Sequence, residues 1–267
     1  MKTDIIVLSC EQTPYTLKCF QSIRKHTDSY NLVWVDNGSS PKSRNAVMEE
    51  VIRHPSFRIL WQRENLGFVG GVNVALRAIM DVWRSDAPYV VLLNNDVEVT
   101  DGWLERMVGI LDKDEHLGAV GPVTSECKSW QSFENVQQVV PIFQIPTGFQ
   151  KMGTDERGQK LDYCYSDVYK LCNMVAFFCT VLRKEAFQKL GCLDADYEVG
   201  LGDDDDMCKR MKDAGMLCAV SLGSYVFHNH RTTFKQMYSF KETERLSASH
   251  KEVFRQKHGH DPKVEAL

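Results

Sequence analysis

The sequence predicts an α/β fold whose mainly parallel sheet is covered by helices on both faces. Three observations carry this expectation. Short apolar runs alternate with longer amphipathic stretches through the first half of the chain. The runs are bounded by polar or Gly/Pro residues, as strands buried on both faces require. The chain has 267 residues, 43% of them hydrophobic, enough for one large domain with a real core. In a β-α-β-α order, ligands gather at the carboxyl ends of the strands, so functional residues are expected just after strands.

In chain order, residues 5–9, 32–35, 57–61 and 89–93 read as strands. Between them, residues 14–26 place Leu17, Cys19, Phe20 and Ile23 at helical spacing. Residues 41–53 do the same with Val47, Val51 and Ile52, and residues 72–83 form a third such stretch. From 125 to 167 the periodicity fades, and Gln, Pro, Gly and charged residues suggest a long excursion from the core rather than a linker. Regularity returns with an apolar strand over 171–182, a short helix over 184–190, and a helix over 203–214 closed by Gly215. Residues 216–220 and 225–227 read as strand, and 234–258 as an amphipathic helical tail.

Bulk properties narrow the function classes. A formal net charge of -4 and a pI near 6.1 offer no global attraction for nucleic acid. Nine cysteines occur without a C-x-x-C pair, which argues against zinc or redox motifs. With no apolar signal core after Met1-Lys2-Thr3-Asp4, they point to buried thiols in a reducing cytoplasm. No run reaches transmembrane length. The expected location is cytoplasmic, compatible with peripheral contact at the inner face of the membrane, because a substrate can be lipid-linked when the enzyme is not embedded.

Four polar constellations follow strands or open helices. Asp36-Asn37-Gly38-Ser39-Ser40 follows the second strand. It can be turn chemistry with Ser40 as a helix cap, or a carboxylate placed to accept the imide hydrogen of a pyrimidine base. The segment from Arg63 to Asn73, with Gly67, Gly70 and Gly71, reads as a glycine-rich turn entering a helix. Its backbone amides could approach phosphate, although it is neither G-x-G-x-x-G nor a P-loop. Asn94-Asn95-Asp96 ends an apolar strand, and such oxygens suit either a capping turn or a hard cation shared with diphosphate.

The fourth is Asp203-Asp204-Asp205-Asp206. A helix start favours acids, and Asp206 can pair with Arg210 four residues on, but this accounts for two acids rather than four. Consecutive like charges repel unless a cation or solvent relieves them, which marks a functional site. A weaker fifth element is Phe227-His228-Asn229-His230-Arg231, where His228 is a competent metal ligand and Arg231 a phosphate partner. His26, His54, His116, His250, His258 and His260 read as structural.

In their order these elements resemble the bacterial family-2 glycosyltransferases, which have a GT-A fold. The strings are V-D-N-G-S-S at 35–40, E-N-L-G-F-V-G-G-V-N at 64–73, L-N-N-D-V at 93–97 and G-D-D-D-D-M-C-K-R at 202–210. The approach F-F-C-T-V-L-R-K-E-A-F-Q-K-L-G at 177–191 and the late His228 are also similar.

The resemblance implies a Rossmann-like GT-A catalytic domain over 1–234, with a nucleotide-binding half at 1–123 and a smaller acceptor-binding half at 124–234. A helical tail over 235–267 follows. It further implies that Ser9, Glu11 and Asp36 lie near the nucleoside, with Asn65 and Gly70 lining the same pocket. Asn94, Asn95 and Asp96 stand at the family's D-x-D position; Asn replaces the first acid, so Asp96 carries most of the metal binding, with His228 nearby. Asp204 becomes the catalytic base, and Asp203 stands where the family has Glu.

The implied activity is inverting transfer from a nucleotide-diphosphate sugar, a UDP-sugar ahead of dTDP-rhamnose, aided by Mn²⁺ or Mg²⁺. The implied acceptor is a hydroxyl of a glycan, glycolipid or surface polymer, and no oligomeric state is implied. The rival readings are a sugar nucleotidyltransferase and a non-catalytic nucleotide-sugar-binding protein.

Overall fold

The computed structural model describes residues 2–124, 131–140, 148–229 and 239–262. The first half runs β1 (Thr3–Ser9), α1 (Thr13–His26), β2 (Tyr30–Asn37), α2 (Pro41–Val51), β3 (Phe57–Gln62), α3 (Gly67–Arg77) and β4 (Tyr89–Asn94). It continues with β5 (Val97–Val99), α4 (Trp103–Lys113), β6 (Leu117–Val123), α5 (Phe133–Val139) and α6 (Thr154–Tyr165). The last part holds β7 (Tyr169–Cys172), β8 (Cys179–Arg183), α7 (Lys184–Leu190), α8 (Asp203–Asp213), β9 (Leu217–His228) and α9 (Phe240–His258).

Among the described residues, nine strands join in the order β3-β2-β1-β4-β8-β6-β9-β5, with β7 added on β9. Strands β1 to β4 pair in parallel, as the alternating pattern predicts. Strand β8 is antiparallel to both β4 and β6, and β6 is parallel to β9.

Period-two alternation explains the two-sided core. Ile6, Val33, Val35, Val90 and Leu92 pack with Val69, Val72 and Leu76 of α3 and with Met207 and Met211 of α8. Their neighbours Ile5, Val7, Leu32, Trp34, Val91 and Leu93 pack on the other face with Phe20 and Ile23 of α1 and Met107 and Ile110 of α4. Each such side chain contributes roughly 1.5–3 kcal/mol when fully buried. The two largest keep a polar partner: Trp34 Nε1–H donates to Ser9 Oγ at 2.9 Å, and Trp103 Nε1–H to Thr27 Oγ1 at 2.9 Å.

Several elements differ from the pattern-based expectation. The third helix begins at Gly67, so Gly70 and Gly71 lie inside it rather than in a turn before it. The apolar run 171–182 is two strands, β7 on β9 and β8 on β4. Met174, Val175, Phe177 and Phe178 of the connection are themselves buried, so hydropathy shows no break there. Conversely, the stretch expected as two strands over 216–220 and 225–227 is one strand, Leu217–His228. Its Ser-Leu-Gly-Ser interruption is an irregularity where the pairing with β6 shifts register. A Cβ at Gly223 would meet the Tyr165 carbonyl oxygen at 2.6 Å, which explains the glycine.

Residues 97–123, unassigned by pattern alone, hold β5, α4 and β6. The excursion contains α5 and α6, both weakly patterned; residues 125–130 and 141–147 of it lie outside the described residues. Among the described residues no helix is long and apolar enough to cross a membrane.

Pairing brings the polar strand ends together. Ser9 of β1 stands opposite Asp36 of β2, and Asn94 of β4 stands opposite Leu8.

Candidate active site

At the carboxyl ends of β1 and β2, Glu11 and Asp36 join one hydrogen-bonded loop system to which Asn65 is tied through Asn37, whereas Ser9 instead accepts from Trp34. Asp36 is fully buried and ion-pairs with Arg44 of α2, while Ser39 N–H donates to its Oδ1 at 3.2 Å. The Arg44 guanidinium lies 5.6 Å from the ring centre of Trp61, which pairs with Asp36 across β2 and β3. Glu11 sits at φ +57° and accepts hydrogen bonds from Ser40 and Ser43 at the start of α2. Those bonds, Ser43 first, hold its carboxyl below the usual range. Ser40 Oγ caps α2 by accepting from Ser43 N–H at 3.4 Å.

Asn37 ties this loop to the glycine-rich segment. Its Nδ2 donates to Asn65 Oδ1 at 2.8 Å, and Leu66 N–H donates back to Asn37 Oδ1 at 3.0 Å. Asn65 Oδ1 also accepts from Gly67 N–H at 2.9 Å, satisfying an early amide of α3. Close approach demands glycine at 38, where φ is +86° and a Cβ would stand 2.7 Å from the Glu64 carbonyl carbon. Gly70 lies in the first turn of α3.

Asn95 and Asp96 form the turn between β4 and β5, and their side chains divide the work. Asn95 is buried and its Nδ2 donates to Thr16 Oγ1 at 2.8 Å, anchoring the turn to α1. Asp96, also buried, has Oδ1 3.3 Å from His228 Nε2. Antiparallel pairing of Val97 with His228 sets that contact, and Asn229 N–H closes it by donating to the Asp96 carbonyl at 3.0 Å. His228 stacks on Phe178 with ring centres 4.7 Å apart and planes at 11°.

Asp203 to Asp206 form the first turn of α8 and fall into distinct roles. Asp206 is 1% exposed and takes Arg210 Nε at 2.7 Å and His258 Nε2 at 2.8 Å, so it is a structural anchor. Burial, with Asp204 next, pushes the Asp203 carboxyl well above its ordinary value. Burial also raises Asp204, against which backbone N–H groups of Asp205, Phe177 and Gly202 stabilise the charged form. Asp205 rises to about 8 through burial and the Asp204 charge, with Lys251 of α9 opposing.

Phe178 braces the Asp96–His228 turn: it stacks on His228 and accepts Asn94 N–H at 2.8 Å through its carbonyl. Sequence reasoning assigned no site role to Phe178 or Arg44; their contributions are a carbonyl, a ring face and a counter-charge, which carry no motif. Arg231 lies outside the described residues.

The family model described as glycosyl transferase family 2 matches residues 4–191, ending before the acidic run. Among solved structures, a mannosyltransferase from Pyrobaculum calidifontis in complex with GDP-Man and Mn²⁺ is similar at a TM-score of 0.67 and 16% identity. The likeness covers 98% of this chain and 66% of that one. GalNAc-T7 with UDP, GalNAc and Mn²⁺ is similar at a TM-score of 0.62 and 12% identity, over 85% of this chain and 44% of that one. An uncharacterized protein of Acanthamoeba polyphaga mimivirus is 27% identical over 120 residues, 42% of this chain but 13% of its own length. The chain thus spans less than two thirds of each of these proteins, and the structural likeness identifies the GT-A fold. With the four strings in order and the strand ends in register, the chain belongs to glycosyl transferase family 2.

Proposed function

We propose that the chain transfers a sugar from a nucleoside diphosphate sugar, a UDP-sugar by preference, to a hydroxyl of a glycan, glycolipid or surface polymer with inversion at the anomeric carbon. The observation that carries this reading is the buried Asp96–His228 pair at 3.3 Å in the turn after β4, where His228 stacks on Phe178. Support also comes from the two solved GT-A neighbours, whose complexes contain GDP-Man or UDP together with Mn²⁺.

Asp96 and His228 fit a divalent cation. Two neighbouring ligands at about 2.1 Å in octahedral geometry stand about 3 Å apart, close to the 3.3 Å between Asp96 Oδ1 and His228 Nε2. Among the described residues no group of three His, Cys, Asp or Glu side chains could hold a metal, so diphosphate oxygens and water would complete the shell. A bound Mn²⁺ or Mg²⁺ supplies positive charge beside the departing diphosphate.

Asp204 takes the acceptor hydroxyl proton as the oxygen–anomeric carbon bond forms, and the bond from that carbon to the diphosphate breaks with its electron pair leaving on the nucleoside diphosphate. Burial raises the proton affinity of Asp204, and its backbone donors orient it. Asp203, buried at the start of α8 with its carboxyl pushed well up by burial, supports the turn. The nucleoside side falls to Ser9, Glu11, Asp36, Asn65 and Gly70, and Asn94 and Asn95 shape the turn that aims Asp96.

A thermal-shift panel of UDP-, GDP- and dTDP-sugars with and without Mn²⁺ tests this. A matched donor at 100 times its Kd is expected to add about 2.7 kcal/mol of stability only with metal, accompanied by slow donor hydrolysis. Undiminished donor binding in excess EDTA rejects the metal role. Pyrophosphate release from a nucleoside triphosphate and sugar phosphate would assign nucleotidyl transfer instead, and binding without any hydrolysis a non-catalytic role.

A further inference from the structure

The segment leading into α8 has an unusual backbone. Four of the five residues from Glu198 to Gly202 have positive φ: Glu198 at +30°, Gly200 at +94°, Leu201 at +76° and Gly202 at +125°. Two of them carry a β-carbon, and such a conformation persists only where the surroundings over-determine it. Here the surroundings include α9. His250 is 5% exposed and its Nδ1 lies 2.9 Å from the Leu201 carbonyl oxygen. A carbonyl only accepts, so Nδ1 carries the proton and donates.

The same peptide unit leads straight into the acids. The Leu201–Gly202 unit is planar, Gly202 is the N-cap of α8, and its carbonyl accepts from Asp206 N–H at 2.9 Å. One rigid peptide therefore stands between His250 and the turn that carries Asp204, held at its oxygen by the imidazole. Further contacts hold α9 against this peptide. The Tyr197 ring meets His250 edge-on at 5.6 Å, His258 Nε2 bonds Asp206 at 2.8 Å, and Lys257 bridges Asp194 and Asp196.

We propose that His250 is a positioning residue for the transfer reaction: through the Leu201–Gly202 peptide it fixes the left-handed turn that aims Asp204 at the acceptor hydroxyl. This rests on the assignment of Asp204 as base. The helical tail is thereby part of the catalytic apparatus, although its residues stand away from the reacting atoms.

Two substitutions in the full chain separate the hydrogen bond from simple packing. His250→Leu fills much of the space but cannot donate, whereas His250→Asn places an amide N–H near the position of Nδ1. Each variant is compared with wild type by thermal unfolding, by hydrogen exchange of the 198–203 amides, and by metal-dependent donor turnover. His250→Leu is expected to exchange faster at 198–203 and to lose about 10- to 100-fold in kcat, as a small misplacement of a reacting group does. Its donor KM should stay within about two-fold, since uniform binding is untouched. His250→Asn should recover protection and most of kcat.

A folded His250→Leu variant with wild-type kcat overturns the proposal, as does an equal loss in both variants. Absence of turnover in the wild type with every nucleotide sugar would reject the transfer reading itself. Hydrogen exchange then still decides the positioning of the turn: unchanged protection in His250→Leu overturns it, and loss restored by His250→Asn upholds it.

Discussion

Asp36 at the end of β2 is fully buried and Asp204 in the first turn of α8 is half-buried, and their surroundings differ in kind. Asp36 is balanced by the Arg44 guanidinium, drawn from the helix that follows it, and by one backbone amide. Asp204 accepts from the Asp205 N–H at 3.0 Å and stands beside further carboxylates, and Arg210 of the same helix is spent on Asp206. A neutralised carboxylate holds a loop together and has little reason to exchange a proton. A carboxylate among like charges keeps a raised proton affinity and gains from any event that relieves the repulsion. Asp36 is thus held as a fastener, whereas Asp204 keeps the raised proton affinity that the proposed base would use.

The largest expected effect separates those uses on the acidic run. Asp204→Asn removes the proton acceptor while keeping shape, so transfer should fall by about 10² to 10⁴ with donor affinity retained. Steady-state kinetics beside donor titration measures both, and near-normal turnover would reject Asp204 as base.

A smaller effect is expected two residues on, and in stability. Asp206→Ala strands Arg210 and His258, and removing one partner of a buried pair costs about 3–5 kcal/mol. Because Arg210 also donates to the Leu190 and Cys192 carbonyls, the loss should lie near the lower end, read as a lowered urea midpoint. An unchanged midpoint would mean that the α8–α9 contact is idle.

The smallest expected effect is on pH dependence, where the two halves should pull in opposite directions. His54 is buried beside Tyr30, and burial lowers its pKa from 6.5 to about 4. As pH falls from 6.5 to 4, the unfolded chain takes up a proton that the native state refuses. Stability of the N-terminal half is full above 6.5 and declines through that window, by about 1–3 kcal/mol. Asp205 behaves inversely, with a native pKa of about 8 against an ordinary 3.8. The native state then holds a proton that the unfolded chain has released, so stability is lost as pH rises from 3.8 to 8. His54→Gln should flatten the acid side of the melting-temperature profile, and Asp205→Asn should raise melting near pH 8 but not near pH 4. Parallel profiles for both variants and wild type would remove the contrast.

Much of the N-terminal half was legible because its signals are local. Strands buried on both faces are continuous apolar runs, their helices show 3.6-residue spacing, and Asn37, Gly38 and Ser40 perform the turn and capping chemistry of their residue types. The second half hid its organisation where burial and secondary structure part company. The connection holding Phe177 and Phe178 is as apolar as the strands beside it, so one run concealed two strands and the ring that stacks on His228. Gly223 misled in the other direction, since a glycine needed for close packing on Tyr165 resembles a strand end.

His250 and His258 read as isolated histidines because their partners lie 49 and 52 residues away. By itself the sequence determined the α/β class, the family strings and which acids to watch, because residue type and short-range spacing encode those. Only the tertiary structure decided how far each acid is buried, which distant side chains meet it and which keeps a raised proton affinity. Burial and contacts such as His258 on Asp206 are set by residues far apart in the chain.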